Sequence, residues 1–369
     1  MKILFDLSYI RLNPYAGVSK YAYRLLDYIV KENQCNNYIL ILNIVAENFL
    51  RERYSQFETI VIGNRRLLKI PILRTLWCSW QFKRVVNKTS ADLLFCPWAN
   101  EITCLKNNKK TISVIHDVQS MIDNHGIRKV IYHHIFSLIV RNSDEIVTIS
   151  NFSVGQIRNY FPKTQIKIVN LGNSVSYPAS IPCTRKFDDK YLLYVGRICK
   201  MKNVITLVKA FSRIHTQFPT YKLLIVGEPS LYWKDEILPI IASSKMADKV
   251  LCISNCSEAE LYNLYKNAEI FVFPSLREGF GSPPLEAAIM GTPVISTKCD
   301  SLFEVTRGLL YYYNDPLSDL ELSSVMINVL NNYPSSQELE KIKQEYLDNY
   351  STDVIGYRIC NHLYNLLTD

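Results

Sequence analysis

Short apolar runs alternate with amphipathic segments along most of this 369-residue chain, and this alternation limits what it can fold into. In the first half the apolar runs predict seven strands, at 2–7, 38–45, 59–63, 93–96, 111–115, 145–150 and 166–171. Helical periodicity between them predicts helices at 18–32, 77–89, 129–141 and 153–160. Strands that alternate with helices in this way indicate a parallel sheet with helices on both faces.

The second half repeats the scheme. It predicts strands at 191–196, 221–226, 250–253, 270–273 and 292–297, and helices at 203–218, 231–243, 258–267 and 283–290. The segment 172–189 contains two prolines and no helical period, which predicts a linker. The predicted fold class is α/β, with two doubly wound Rossmann-like domains at 1–171 and 190–350 that face each other across a cleft. Ligands would then bind at the carboxyl ends of the strands.

The net charge of +8 is divided unevenly between the two halves. Residues 1–170 carry 23 basic and 12 acidic side chains, whereas 171–369 carry 19 and 22. The segment 64–88 has seven basic residues and no acidic one, interleaved with leucine, isoleucine and tryptophan. This composition is typical of a segment at an anionic lipid surface; the alternative is a core-facing helix with solvated charges. The negative second half and the lack of a recognition motif disfavour nucleic acid as the partner.

Several classes of protein are disfavoured by what the sequence lacks. Asp6 interrupts the first apolar run, so we expect no signal peptide, and no run reaches the roughly 18 apolar residues of a spanning helix. The ten cysteines include no CxxC pair, so we expect reduced thiols in a cytosolic protein and no zinc site. There is no GxGxxG or GxxxxGK[ST] motif for a dinucleotide or P-loop enzyme, and no DxD pair for a metal-bound diphosphate.

The most specific motif runs from Phe273 to Gly291, with the sequence FPSLREGFGSPPLEAAIMG. A loop with two glycines follows a predicted strand, Ser282 is a natural N-cap, and Gly291 is a natural helix stop. The backbone N–H groups of 279–285 would suit hydroxyls and phosphate oxygens. A carboxylate such as Glu286 can accept hydrogen bonds from both vicinal hydroxyls of a ribose. The alternative is a capped surface helix with a solvated glutamate.

Three shorter groups of residues also follow predicted strands or precede a helix. Gly196, Arg197 and Lys202 combine a tight turn with two cations, a pattern that suits a diphosphate. His116 stands at the end of a predicted buried strand, where it would face the cleft. Gly17 precedes the first long helix and would let the backbone approach a phosphate at its N-terminus. Solvated loop charges and a structural histidine are the alternatives.

Together these motifs resemble the family-four retaining glycosyltransferases of the GT-B fold. The resemblance rests on Gly17 and on 116–117, 148–153, 195–203, 224–227 and the Glu278-x7-Glu286 motif. It departs from the family pattern at 228–230, and at 252–255 in the base-binding segment.

The resemblance implies a role for each predicted site residue. Glu286 would hold the donor ribose, and Arg197 and Lys202 would stabilise the leaving diphosphate. Glu278 would face the transferred sugar, and His116 would contact that sugar or its phosphate. The predicted nucleotide-sugar site also includes Gly17, Gly196, Phe280, Gly281, Ser282 and Leu285. The resemblance further implies that 351–369 form a helix that returns to the first domain.

The function expected from this resemblance is metal-independent, retaining transfer of a hexose without a cofactor. The donor would be a nucleotide sugar, with GDP-mannose slightly favoured and a UDP-sugar open, and the acceptor a lipid-linked oligosaccharide of a surface polysaccharide such as O-antigen or capsule. We expect a cytoplasmic protein, peripheral on the inner face of the cell membrane. The alternatives are a GT-B epimerase, a glycogen-type synthase and a non-enzymatic anion-binding protein.

Overall fold

The computed structural model describes residues 2–10, 17–65, 70–178 and 189–368, and the chain forms two compact units. The first unit is Met1–Ser174 together with Thr352–Asp369, and the second is Val175–Ser351. The boundary at Ser174 lies inside the predicted linker 172–189, of which 179–188 are outside the described residues.

The first unit is built on a seven-stranded parallel sheet. Its strands are Ile3–Leu7 (β1), Tyr38–Asn43 (β2), Glu58–Ile62 (β3), Leu93–Cys96 (β4), Lys110–Val114 (β5), Glu145–Thr148 (β6) and Lys167–Asn170 (β7). Their order across the sheet is β3-β2-β1-β4-β5-β6-β7. All seven strands lie where apolar runs predicted them, because a strand covered on both faces must be apolar along most of its length.

In the described ranges, six α-helices connect these strands or follow them. They are Gly17–Lys31 (α1), Glu47–Arg53 (α2), Pro71–Lys88 (α3), Gln119–Asp123 (α4), Gly126–Asn142 (α5) and Asn151–Tyr160 (α6). The chain first adds strands from β1 towards β3, then returns and adds β4 to β7 in the other direction. Parallel crossovers are right-handed as a rule, and with this strand order the rule puts α1 and α2 on one face of the sheet and the later helices on the other. α3 begins before its predicted start at 77, and the short helices α2 and α4 were not predicted.

The second unit has a six-stranded parallel sheet. Its strands are Lys190–Val195 (β8), Tyr221–Val226 (β9), Val250–Ile253 (β10), Ile270–Phe273 (β11), Val294–Ser296 (β12) and Tyr311–Tyr312 (β13). Their order is β10-β9-β8-β11-β12-β13, so this sheet is also doubly wound. The two-residue strand β13 was not predicted, because a run of two residues shows no alternation.

The last three helices of the second unit are ones that the apolar pattern did not assign. The helices are Val204–Ile214 (α7), Leu238–Ser243 (α8), Glu258–Asn267 (α9), Ser282–Ile289 (α10), Leu302–Val305 (α11), Asp319–Asn331 (α12) and Ser336–Tyr350 (α13). A π-helical turn, Trp233–Ile237, leads into α8. A usable signal existed for α13, because Ser335 and Glu338 form a capping box at its start.

The last helix, Thr352–Thr368 (α14), belongs to the first unit and packs against α1. The two helices approach closely at Gly356, where a Cβ atom would lie 2.3 Å from Cγ of Tyr28. Any larger residue at this position would push the helices apart.

A buried carboxylate also joins α14 to the sheet. Glu145, at the start of β6, accepts a hydrogen bond from His362 of α14, and its second oxygen lies 2.9 Å from Nζ of Lys167. Burial by itself would raise the pKa of Glu145, but the hydrogen bonds and charges of His362 and Lys167 outweigh it and lower the pKa.

Candidate functional site

Most of the predicted site residues lie at the carboxyl edge of the second sheet. The strand order reverses between β8 and β11, so the connections that follow these two strands cross to opposite faces. Gly196, Arg197 and Lys202 come after β8, and the motif that contains Glu278 and Glu286 comes after β11. In a doubly wound sheet this reversal is where ligands bind.

Two glycines bring the ends of β8 and β9 close together. Gly196 has a φ of +154°, and its N–H donates to the carbonyl of Val226 at 3.0 Å. A Cβ atom at Gly227 would lie 2.2 Å from the carbonyl oxygen of Gly196. Position 227 therefore has no room for a side chain while this turn keeps its shape.

Lys202, in the loop after β8, and Glu278, in the loop after β11, form a buried ion pair. The Nζ of Lys202 lies 2.5 Å from Oε1 of Glu278 and 3.5 Å from the carbonyl oxygen of Arg277. Each residue is only 9 % exposed. Since both charges are largely withheld from water, each depends on the other for its stabilisation. The pair holds one ammonium group in a fixed place at the edge of the sheet.

Two residues after β12 hold the loop that carries Glu278. The backbone N–H of Glu278 donates to Oδ2 of Asp300 at 3.1 Å, and the hydroxyl of Ser301 donates to the carbonyl of Glu278 at 2.9 Å. Burial raises the pKa of the Asp300 carboxyl. Sequence reasoning missed both residues, because they follow a different strand from the one that leads into the motif.

The helix that follows this loop is α10, and a glycine starts it. Gly281 is the N-cap, in the left-handed region with a φ of +87°, and a Cβ atom there would lie 2.3 Å from Cδ2 of Leu302. The predicted N-cap at Ser282 is wrong: Ser282 is the first residue of the helix, because the left-handed glycine already turns the chain into it. The predicted stop is confirmed, since Gly291 follows the C-cap with a φ of +84°.

Glu286 lies on α10 and is buried, with 6 % of its surface exposed. The hydroxyl of Tyr265, on α9, donates to its Oε2 at 3.3 Å. Burial, and then the charge of Glu286, raise the pKa of Tyr265 well above its usual value, so this hydroxyl keeps its proton and remains a donor. The alternative of a solvated surface glutamate is therefore wrong. Tyr265 was not predicted, because nothing in the sequence pairs it with Glu286.

Two other residues of the motif have side chains that serve the core. Phe280 is buried, with its ring edge-on to Tyr350 at a centroid distance of 5.6 Å, and Leu285 is fully buried. A ligand at this edge of the sheet would meet these two residues through their backbone.

Arg197 is exposed, directly after β8. Its carbonyl accepts a hydrogen bond from the Tyr194 hydroxyl at 2.9 Å. Burial raises the pKa of Tyr194, the charge of Glu278 raises it further, and the charge of Arg197 opposes this. Arg197 and Glu278 therefore both lie near that hydroxyl. Within the described parts of the chain, the Arg197 guanidinium has no hydrogen-bond acceptor or ion-pair partner.

His116 lies in the first unit, just after β5. Its Nε2 is 2.9 Å from the carbonyl oxygen of Pro97, and the ring of Tyr21 meets its ring edge-on at 4.8 Å. Removal from water lowers the pKa of His116, which favours the neutral ring at neutral pH. Because a carbonyl can only accept, Nε2 carries the proton and Nδ1 is left as an acceptor.

Gly17 is the first residue of α1. A Cβ atom there would meet nothing within 4 Å, so crowding does not require a glycine at this position. The loop before it, 11–16, is outside the described residues.

The structure thus gathers Lys202, Glu278 and Glu286 at one edge of the second sheet, with Arg197 beside them. It places Gly17 and His116 in the other unit. Over the ranges that the structure describes, no group of three or more His, Cys, Asp or Glu side chains is arranged to hold a metal ion.

Known proteins resemble this chain in sequence. Residues 183–346 match the family model described as glycosyl transferases group 1. The chain is 28% identical over 283 residues to the O-antigen chain mannosyltransferase RfbU of Salmonella typhimurium, covering 74% of this chain and 78% of that protein. It is 29% identical over 227 residues to the O-antigen chain mannosyltransferase B of Escherichia coli, covering 57% and 59%.

Solved structures share the whole fold at low identity. A sucrose-phosphate synthase from Thermosynechococcus elongatus superposes with a TM-score of 0.78 at 17% identity, over 100% of this chain and 99% of that one. Anabaena HepE, solved in complex with UDP and glucose, has a TM-score of 0.74 at 15% identity, over 99% and 100%.

The two parallel-sheet Rossmann-like domains and these structural likenesses define the GT-B fold. Its second domain matches the glycosyl transferases group 1 model, and the relatives it resembles include enzymes named for O-antigen chain synthesis. The predicted α/β GT-B fold class is confirmed, and the predicted family resemblance is confirmed over 183–346.

Proposed function

We propose that this glycosyltransferase moves a hexose, with retention of configuration, from a nucleoside-diphosphate sugar to a lipid-linked oligosaccharide. The observation that carries the proposal is that the buried Lys202–Glu278 pair and the buried Glu286 both follow strands that end at one edge of the sheet, β8 and β11. A carboxylate, an ammonium group and an unpaired guanidinium at one sheet edge match the ribose and diphosphate of such a donor.

The cations act where negative charge develops. As the bond between the anomeric carbon and the diphosphate oxygen breaks, the leaving group gains charge. Lys202 is already oriented by Glu278, and Arg197 is exposed and free to reach a phosphate. Preoriented charges of this kind stabilise the transition state without reorganisation, so no metal ion is needed for that task.

The reaction balances without a protein nucleophile. The acceptor oxygen bonds to the anomeric carbon on the face that the diphosphate leaves, and the acceptor proton passes to a diphosphate oxygen. Neutral His116, with Nδ1 as an acceptor, would bind a sugar hydroxyl rather than a phosphate oxygen, which has no proton to donate.

The donor is best described as GDP-mannose-like. The two relatives named above are mannosyltransferases by name, which favours mannose over other hexoses. A UDP-sugar remains the second candidate, because the structural neighbour HepE was solved with UDP and glucose.

The acceptor side would dock on an anionic membrane surface through the segment 64–88. Of this segment, 66–69 lie outside the described residues, so its Arg66 and Lys69 carry no structural evidence. Its helix α3 buries one stripe and exposes another, which holds Leu73, Leu76, Trp77 and Trp80. No helix in the described ranges is long and apolar enough to cross a membrane.

A panel of sugar nucleotides tests the donor proposal with the full chain. A bound donor raises the melting temperature as RT ln(1 + [L]/Kd), so the correct donor should stand out from the others. GDP-mannose should give the largest shift, and Glu286→Ala should abolish that shift. Equal shifts with all nucleotides, or an unchanged shift in Glu286→Ala, would refute the proposed donor site.

A further inference from the structure

The first half of α5 is exposed on every side, although it carries large apolar residues. Each residue of 126–134 is exposed, and the set includes Ile127 at 77 % and Ile131 at 50 %, together with Val130 and Tyr132. A helix end that projects from the body of a protein is normally polar all round. These exposed apolar residues therefore indicate a surface that contacts another molecule.

The exposed apolar residues of α5 face away from the protein core. Ile127, Val130 and Ile131 follow one another at helical spacing and share one side of the helix. The residues that α5 buries are Phe136, Ile139 and Val140. At about 100° per residue the two sets are about 180° apart. The outer stripe of α5, defined as Ile127, Val130 and Ile131, is therefore not an extension of the core-facing stripe.

Helix α3 has the same construction. Its buried residues Cys78, Phe82 and Val86 pack into the core cluster that contains Leu94 and Cys96 of β4. The outer stripe of α3, defined as Leu73, Leu76, Trp77 and Trp80, lies about 160° around the helix from them.

Strand register shows that α3 and α5 cover the same face of the first sheet. Cys96 pairs with Ser113 of β5, and Ser113 pairs with Ile146 of β6. Paired residues of adjacent strands point to the same face. α3 packs on Cys96, and α5 packs on the cluster that contains Ile146. Both outer stripes therefore point outward from one helical layer.

The two outer stripes also lie at the same edge of the sheet. α3 begins soon after β3, and α5 begins soon after β5, so the first half of each helix is at the carboxyl ends of the parallel strands. His116 follows β5 at this edge as well. A flat surface laid on the helical layer near this edge would touch both stripes.

Charge identifies the kind of surface. Between them, α3 and α5 hold seven lysines and arginines and no acidic residue: Arg74, Lys83, Arg84, Lys88, Arg128, Lys129 and Arg141. Apolar side chains on helices whose own charged residues are all cations fit an anionic bilayer, in which the apolar groups enter the interface and the cations meet the headgroups.

We propose that the outer stripe of α5 is a second membrane-contacting element, which binds an anionic bilayer together with the outer stripe of α3. This inference rests on the membrane docking proposed above for 64–88 and adds α5 to it. Contact at two helices, rather than one, sets the tilt of the first unit and keeps the carboxyl edge of its sheet, with His116, next to the lipid from which the acceptor would come.

Co-sedimentation of the full chain with vesicles tests whether the outer stripe of α5 contacts lipid. The vesicles are mixed phosphatidylglycerol and phosphatidylcholine, or phosphatidylcholine alone. The test variant is Ile127→Ser/Ile131→Ser, and the matched control is Leu317→Ser/Leu320→Ser, whose two leucines are 64 % and 62 % exposed in the second unit. The α5 variant should bind mixed vesicles about tenfold or more weakly than the unaltered chain, because two apolar groups no longer enter the interface. The control should bind like the unaltered chain, and all three should bind pure phosphatidylcholine poorly.

The outcomes separate this inference from the proposal on which it rests. If Trp77→Ser/Trp80→Ser loses binding while the α5 variant keeps it, α5 is not a lipid contact and docking through α3 stands. If the unaltered chain ignores mixed vesicles, both membrane statements fail, while donor-induced stabilisation still tests the transferase site. If the α5 variant instead changes the sedimentation coefficient of the lipid-free protein and leaves vesicle binding intact, the stripe joins two copies of the chain and the lipid inference is overturned.

Discussion

Replacing Lys202 by methionine removes the ammonium group and leaves the Glu278 carboxylate buried without its partner. At 2.5 Å and an effective dielectric constant of about 20, the pair attracts by about 7 kcal/mol, most of which offsets the cost of removing two charges from water. Breaking a buried pair by removing one partner typically costs about 3–5 kcal/mol. We expect Lys202→Met to lower the free energy of unfolding by about 3–5 kcal/mol.

The double variant Lys202→Met/Glu278→Gln separates stability from catalysis. It replaces two buried charges with two neutral side chains of similar length, so the free energy of unfolding should return to within about 1–2 kcal/mol of the original value. Catalysis should not return, because the ammonium group that would stabilise the negative charge of the leaving diphosphate is still absent. Loss of one preoriented electrostatic group typically lowers kcat about 10²–10³-fold.

The assay needs two readouts on the same preparations. Urea unfolding gives the free energy of unfolding, and release of nucleoside diphosphate from the preferred donor gives kcat. Recovery of both stability and kcat in the double variant would show that the pair only supports the fold, and the assignment of Lys202 to catalysis would be refuted. Glu278→Gln alone completes the double-mutant cycle.

Three further changes test other parts of the structure. Gly281→Ala should destabilise the second unit and abolish donor-induced stabilisation, because its Cβ would lie 2.3 Å from Leu302 in a left-handed backbone; a normal thermal shift would contradict this. Gly356→Leu should detach the C-terminal helix, seen as faster hydrogen exchange in α14, because a Cβ there already meets the ring of Tyr28; unchanged protection would count against that contact. The lowered pKa of Glu145 stabilises the fold fully above the unfolded value of about 4.5, and this contribution is lost as the pH falls through the folded value. Glu145→Gln should therefore be less stable at neutral pH and should lose less stability on acidification, which urea titrations at several pH values would show.

Features that depend on neighbouring residues were predicted correctly from the sequence, whereas features that depend on residues distant in the chain were not. Buried parallel strands were found because each is a local apolar run, and the stop at Gly291 was found because a helix end is a local event. The N-cap was misplaced by one residue, since Gly281 adopts the left-handed conformation that starts the helix, and Leu302, distant in the chain, leaves no room for a side chain there. Asp300 and Tyr265 were missed for the same reason: each contacts the motif only after separate strands become neighbours.

The sequence by itself determined that the chain forms two doubly wound parallel sheets, that glycine and charged residues follow particular strands, and that the Glu278-x7-Glu286 motif begins a helix. These properties depend on periodicity and backbone geometry within a few residues. Only the tertiary structure decided that Lys202 and Glu278, 76 positions apart, form a buried pair, and that the outer stripes of α3 and α5 share one face. Strand order brings these residues together, and strand order is set by long-range packing that no short stretch of sequence contains.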